Sequence, residues 1–380
     1  MNPTVSVVIP SYNHENFIQE CIQSVLNQTF QDFEIVITDD GSSDNTIAKI
    51  QEFSDKRIKL FKFPINSGAS IAANNSILNS SGKYIAMLNS DDVWFPDKLA
   101  IQVDYLEKNQ NIAAVFGKAN FINNANRKLT KFSLYKDVFN VANRTRQEWL
   151  RFFFLTGNCL CHPCSLVRRD AYFDVGLLNP AFSGLPDFDF WVRLCLKYDI
   201  HVLDQELINF RILNETMNAS GDNINNRIRN KFEYKQILNN FLSIKKPEEL
   251  RLIFPEAIKY GEISSELIPY FLGRIAIQSG IDFKLLWGLE VIYSLLQNKE
   301  TSHQLKLNSN FTFADFYILT LQSDVFKTSI FPVNSVFNQF EISTRNSLAN
   351  SFIKYLKDIY LIMLTFLYLT RNFIRKLFFV

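Results

Sequence analysis

The chain predicts an α/β domain followed by a mostly α-helical extension. Three observations carry this. Over residues 1 to about 110, short apolar runs alternate with segments whose apolar residues recur at helical spacing. Three of those runs end in polar turns: Val5 to Pro10 before Ser11-Tyr12-Asn13, Phe33 to Ile37 before Thr38-Asp39-Asp40-Gly41-Ser42-Ser43-Asp44, and Lys83 to Asn89 before Ser90-Asp91-Asp92. After about residue 227 only helical spacing remains, in KFEYKQILNNFLSI, ELIPYFLGRIAIQ and FKLLWGLEVIYSLLQ.

Taken in order, strands are expected near 4–10, 33–38, 58–63 and 83–89, and helices near 15–27, 44–53, 69–79 and 96–109. TIAKIQEF repeats Ile47, Ile50 and Phe53 at helical spacing. Before it, Gly41 permits a tight turn and Ser42 or Ser43 can cap the helix. Pro96 suits a first helical position. AAVFGKANFIN (Ala113 to Asn123) reads as a strand, 124–145 as a polar Asn-rich loop and RQEWLRFFF as a short helix. IHVLD (Ile200 to Asp204) and LINFRI (Leu207 to Ile212) read as two closing strands, and 214–226 as a linker or mobile loop. Three regions result: 1–226, 227–350 and 351–380. The Phe and Trp of the second read as core.

A buried strand ending in two adjacent carboxylates is a costly arrangement. Like charges at one spot raise each other's pKa unless a cation sits between them. A hard divalent cation, Mg²⁺ or Mn²⁺, takes oxygen ligands and often bridges to phosphates. The plainer reading is a strand-to-helix loop with Asp92 or Asp97 capping a helix. The upstream pair, Asp39-Asp40, also lies between strand and helix. In open α/β sheets ligands bind outside the carboxyl ends of the strands, and three strands here aim polar residues at one such edge.

These motifs resemble a family. VSVVIPSYNHENFIQECIQSVLNQTFQDFEIVITDDGSSDNT, SGASIAANNSI, GKYIAMLNSDDVWFPDKL, HPCSLVRR and LPDFDFWVRL stand in the order and spacing of family 2 glycosyltransferases, over about residues 3 to 215. The resemblance implies a Rossmann-like GT-A fold that binds a nucleotide-sugar, and transfer of a sugar from a nucleotide-diphosphate donor to an acceptor hydroxyl, usually with inversion. It places Pro10, Ser11 and Tyr12 against the nucleotide base, with Asp40 accepting a hydrogen bond from it. A pyrimidine imide NH suits that role, which favours UDP or dTDP. It gives Asp91 to the nucleotide and Asp92 to a Mn²⁺ or Mg²⁺ ion on the diphosphate. The catalytic base is expected at Asp187, at the start of a helix. Asp189 is its competitor, but two acids two apart on a helix point in different directions, so only one can serve. Charge stabilisation at the helix N-terminus is the plainer role for either. The chain departs from the family pattern at Asn89, Ala73, Pro186 and near Leu213, while Asp40, Asp92 and Asp187 are all present.

The chain has 380 residues, 47% hydrophobic and 21% charged, with a net charge of +2, so no nucleic-acid partner is expected. There are 5 Cys, and no secretory leader precedes the first strand, so a reduced cytoplasmic setting is expected. Cys159, Cys161, His162 and Cys164 are too closely spaced for paired zinc ligands. In an extended segment, Cys159 and Cys161 would face one side and His162 and Cys164 the other. His14 and His201 carry no separate indication. A dinucleotide oxidoreductase is disfavoured because no GxGxxG follows the first strand. A glycoside hydrolase would need no nucleotide site. The remaining alternative is an inactive relative that binds glycan or a partner, against which the three retained acids argue.

The last thirty residues hold an apolar run, Ile359 to Thr370, flanked by Lys354, Lys357, Arg371, Arg375 and Lys376. At about 1.5 Å per residue it reaches about 18 Å as a helix, short of a roughly 30 Å hydrocarbon core. Two placements stay open: an interfacial anchor on anionic lipid at the inner face of the plasma membrane, or a helix packed on the extension. The first would suit a lipid-linked glycan acceptor.

Overall fold

The computed structural model describes residues 2–129, 138–213 and 223–325. Met1–Leu319 forms one compact unit, and a second begins at Thr320. The apolar, basic-flanked segment 351–380, read as either an interfacial anchor or a packed helix, lies outside the described residues, as do 130–137 and 214–222. No helix among the described residues is long and apolar enough to cross a membrane.

The described residues of the first unit build a mixed sheet. Its strands are β1 (Val5–Ser11), β2 (Phe33–Asp39), β3 (Ile58–Lys62), β4 (Tyr84–Met87), β5 (Val93–Trp94), β6 (Ile112–Ile122), β7 (Leu166–Arg168) and β8 (Asp199–Arg211). Their order is β3-β2-β1-β4-β7-β6-β8-β5. β3, β2, β1 and β4 run parallel, β7 runs antiparallel between β4 and β6, β6 and β8 are parallel, and β5 closes antiparallel on β8. β1, β2 and β4 are covered on both faces, which is why they read as continuous apolar runs, while the edge strand β3 (IKLFK) is partly exposed. The pleat sends Val5, Val7 and Ile9 to one core and Val8 to the other.

Helices α1 (Ile18–Leu26), α2 (Thr46–Gln51), α3 (Ala69–Leu78) and α4 (Lys98–Lys108) intersperse the early strands. They are followed by α5 (Arg146–Leu155), α6 (Arg169–Val175) and α7 (Pro186–Cys195). The extension supplies α8 (Ile224–Ile237), α9 (Pro247–Ile253), α10 (Ile268–Gln278), α11 (Asp282–Gln297), α12 (Lys299–Ser309) and α13 (Phe313–Leu321). Its core is continuous with one face of the sheet: Val8, Ile85, Phe154 and Trp191 share a cluster with Phe241, Phe254, Phe271 and Trp287.

Several local expectations change. The two closing strands are one, β8. Cys161 leads into a 3₁₀ turn over His162–Cys164, so the segment does not alternate, and Cys159, Cys161 and Cys164 are buried free thiols. Among the described residues no group of three or more His, Cys, Asp or Glu is arranged to hold a metal. Ser42 and Ser43 do not cap α2. The Ser42 hydroxyl donates to Asp39 Oδ2 (2.6 Å), and the Ser43 N–H donates to Asn13 Oδ1 (2.9 Å). Pro96 stands outside α4, which begins at Lys98.

Candidate active site

The carboxyl ends of β1 and β2 lie side by side, with Ser11 opposite Asp39. The Asp40 N–H donates to the Ser11 carbonyl at 2.8 Å, so Pro10, Ser11, Tyr12 and Asp40 come together. Asp40 is buried, and its two oxygens accept from the N–H groups of Ser67 (2.7 Å) and Gly68 (2.8 Å). That pins the loop before α3. Gly41 follows at φ +75°, and a Cβ there would fall 2.7 Å from the Ile65 carbonyl carbon, so only glycine fits. Tyr12 is exposed, and the buried Ser11 hydroxyl has no protein partner. A buried hydroxyl without a partner is rare, and the Ser11 hydroxyl has capacity for one more hydrogen bond.

Asp91 and Asp92 occupy the turn between β4 and β5. β5 is clamped to β8 with Val93 opposite Asn209 and Trp94 opposite Ile208. Continuing that register places Arg211 at the acidic turn. Asp92 is buried; its Oδ1 accepts the Arg211 N–H at 2.7 Å and its Oδ2 accepts Asn89 Nδ2 at 3.2 Å. The Arg211 side chain, also buried, donates from Nε to the Asp91 carbonyl (2.7 Å) and pairs with Glu20 (2.8 Å). Burial pushes the Asp92 carboxyl well above the usual carboxylate range, and Asp91 beside it adds to the rise. Asp91 is half-buried; burial raises it too, against the pull of His14 and Arg211. His14 Nδ1 in turn hydrogen-bonds the Ser90 hydroxyl at 2.7 Å. The pair is thus a desolvated acidic site of two adjacent carboxylates, a setting a hard cation suits.

Asp187 and Asp189 sit in the first turn of α7 and differ in every respect that matters. Asp189 is buried and fully engaged: it pairs with Arg193 at 2.8 Å and accepts Asn240 Nδ2 at 2.9 Å. Asp187 is half-buried and accepts one side-chain hydrogen bond, from Asn158 Nδ2 at 2.8 Å. Burial pushes its carboxyl up to about 6, against the opposing hydrogen bonds of Asn158 and nearby amides. A carboxylate with a raised pKa and no ion pair among the described residues suits a general base. The segment leading into α7 is tied to the loops near Asp40 through α3. Ser70 Oγ donates to the Phe182 carbonyl (3.2 Å), and Asn74 Nδ2 to that of Leu178 (2.8 Å).

A glycosyl transferase family 2 model matches residues 6–176. The chain is 35% identical, over 203 residues, to the Escherichia coli UDP-Glc:alpha-D-GlcNAc-diphosphoundecaprenol beta-1,3-glucosyltransferase WfgD, covering 53% of this chain and 73% of that one. The chain belongs to glycosyl transferase family 2. The transferase is also 30% identical to an uncharacterized glycosyltransferase of Rickettsia prowazekii, over 66% of its own length and 76% of the relative's. Its fold is that of Staphylococcus aureus TarS 1–349, solved in complex with UDP-GlcNAc, at a TM-score of 0.54 and 18% identity, covering 78% of this chain and 85% of that one. The GT-A fold with a helical C-terminal region, read from the sequence, is therefore the fold of the transferase.

Three residues of the site give no sign of their roles in the sequence. Arg211 holds the acidic turn, yet in sequence it is one cation at a strand end. Asn158 lies in an irregular segment and meets Asp187 only in three dimensions. His14 follows the β1 turn, and nothing around it indicates its reach to Ser90. The departures at Asn89 and Ala73 also find roles: Asn89 donates to Asp92, and Ala73 packs in the core.

Proposed function

We propose that the transferase moves a sugar with inversion from UDP or dTDP to a hydroxyl of a glycan or lipid-linked acceptor in cell-surface polysaccharide or glycolipid synthesis. The observation that carries this is the pair on α7: Asp189 is ion-paired with Arg193, while Asp187 is raised and has no ion pair among the described residues. Asp187 takes the proton of the acceptor hydroxyl. The hydroxyl oxygen attacks the anomeric carbon from the face opposite the diphosphate, and the bond to the diphosphate breaks with its electron pair on the leaving oxygen. Pro10, Ser11, Tyr12 and Asp40 hold the base and ribose side of the sugar donor. The lipid-linked acceptor is supported by the E. coli relative, whose name specifies a diphosphoundecaprenol substrate. Such an acceptor implies peripheral contact with the inner face of the plasma membrane.

Asp91 and Asp92 suit Mn²⁺ or Mg²⁺. Because no group of three His, Cys, Asp or Glu among the described residues is arranged to hold a metal, the other ligands would come from the sugar donor's phosphates and water. Bound there, the cation would act as a Lewis acid on the departing diphosphate. From sequence Asp92 is the expected ligand. We infer that Asp91 is the more accessible of the two, because both Asp92 oxygens already serve Arg211 and Asn89.

Calorimetry with UDP, dTDP and GDP, with and without Mn²⁺, tests the site. Metal-dependent binding of a pyrimidine nucleotide is expected, and Asp91→Asn should remove the metal dependence. Asp187→Asn should lower transfer by about 10²-fold or more while nucleotide binding stays intact. Equal loss of both would remove Asp187 as base. Failure of the folded protein to bind any of the three nucleotides would favour an inactive, binding-only relative.

A further inference from the structure

The helix that carries Asp187 has no cap of its own. Leu185 at the N-cap has no side-chain acceptor, and Pro186 opens the helix without an N–H. The three backbone N–H groups leading into it turn instead to one carboxylate from the extension. Glu233 on α8 accepts Ser183 N–H at Oε1 (2.8 Å), Gly184 N–H at both oxygens (3.2 and 2.9 Å) and Leu185 N–H at Oε2 (2.7 Å). It is 2% exposed. Hydrogen bonds from successive amides to a buried carboxylate are of the strong, charge-assisted kind.

We propose that Glu233 is the positioning residue for Asp187, so that the helical extension sets the geometry of the base through the 183–185 backbone. This rests on the reading of Asp187 as the base. Neighbouring contacts share the task. Tyr234 packs edge-on against Phe188 with ring centres 5.1 Å apart, and Asn240 holds Asp189. Gly184 lets α8 come close: a Cβ there would fall 2.0 Å from Asn230 Oδ1. Arg229 reaches the Ser183 hydroxyl at 3.3 Å. The three amides are adjacent to the base in sequence, and a misplacement of about 1 Å at such a group can lower turnover about 10²-fold. The Glu233 charge also acts on Asp187 directly, adding to the rise in its pKa.

Glu233→Gln keeps the size of the side chain but leaves one acceptor oxygen and turns an NH₂ toward amide donors. The expected result is at least tenfold faster hydrogen exchange at Ser183, Gly184 and Leu185, with amides of α10 unchanged. Turnover of the sugar nucleotide that the wild type uses should fall about tenfold to a hundredfold, with its KM unchanged. The acidic limb of the pH profile should move to lower pH, because a negative neighbour is gone. Unchanged exchange and unchanged turnover would overturn the proposal. So would a fall in turnover matched by a rise in KM with the acidic limb unmoved, since that is general loosening. Should Glu233→Gln not fold, Glu233→Asp decides: a carboxylate one methylene shorter pulls back from the three amides and should lower turnover without moving KM, and wild-type turnover with wild-type exchange at Ser183, Gly184 and Leu185 would overturn the proposal. Asp187→Asn separates the two readings. If it still transfers sugar, the base assignment fails even where the exchange result holds.

Discussion

Two aspartates two positions apart do different work because of what each can touch. The distinction is partly legible in the sequence: Asp189 and Arg193 stand at the i,i+4 spacing of a helical ion pair. Asn158 is not, because nothing local marks a partner 29 residues away. The consequence for pH is specific. As the proposed base, Asp187 would work only when ionised, and burial holds its carboxyl at about 6. Turnover should therefore fall as pH drops through about 6 and level off above it. Asn158→Ala removes a hydrogen bond that favours the ionised form, so the acidic limb should move to higher pH, opposite to the shift expected for Glu233→Gln. A pH–rate series on the two variants checks this. Limbs that move in the same direction would mean that one of the two neighbours does not act on Asp187 in this way.

Elements with enough length to show a period are readable, and those set by distant contacts are not. The first four strands and α1 to α4 follow apolar patterning that the local sequence states directly. β5 and β7 have two and three residues, too few for any period, and exist because β8 and the β4–β6 pair supply their partners. Close approaches are likewise set by what lies opposite. Gly41 reads as a turn residue from sequence, but its tighter constraint is the backbone of Ile65 and Asn66, which would stand 2.7 and 2.8 Å from any Cβ at that position. Backbone cannot give way there as a flexible side chain could. Gly41→Ala should lower stability by about 1–3 kcal/mol and weaken UDP binding, because Asp40 precedes it. In the extension, α10 and α11 cross where a Cβ on Gly288 would fall 2.5 Å from the Gly273 carbonyl oxygen. Gly288→Ala should destabilise by about 1–3 kcal/mol without changing UDP affinity. Denaturant melts paired with calorimetry distinguish the two outcomes.

At the scale of the molecule, a shift in composition near residue 226 marks where strand patterning stops, but the core does not stop there. Phe154, at the end of α5, lies edge-on to Phe241, Phe254 and Trp287, with ring centres 5.0, 4.9 and 5.9 Å away. Lys284 is buried and donates to the Phe154 and Leu155 carbonyls at 2.7 Å each, closing the C-terminus of α5. Arg151 pairs with Glu256, and Arg146 with Glu249. Contacts of this kind join residues far apart in sequence, so no local pattern announces them. Their energetic weight is large: each aromatic side chain returned to water forfeits roughly 1.5–3 kcal/mol, against a total stability of about 5–15 kcal/mol for a typical domain. A chain ending at residue 226 would expose Phe154 and the faces of α5 and α7 together, and would lose Glu233 from the backbone before Asp187. It should show no cooperative thermal transition and should not bind UDP, whereas the full chain should melt cooperatively and bind it. A sharp melt and wild-type UDP affinity in the shortened chain would mean that the extension is an appendage, and Glu233 could not then be setting the base from within a shared core.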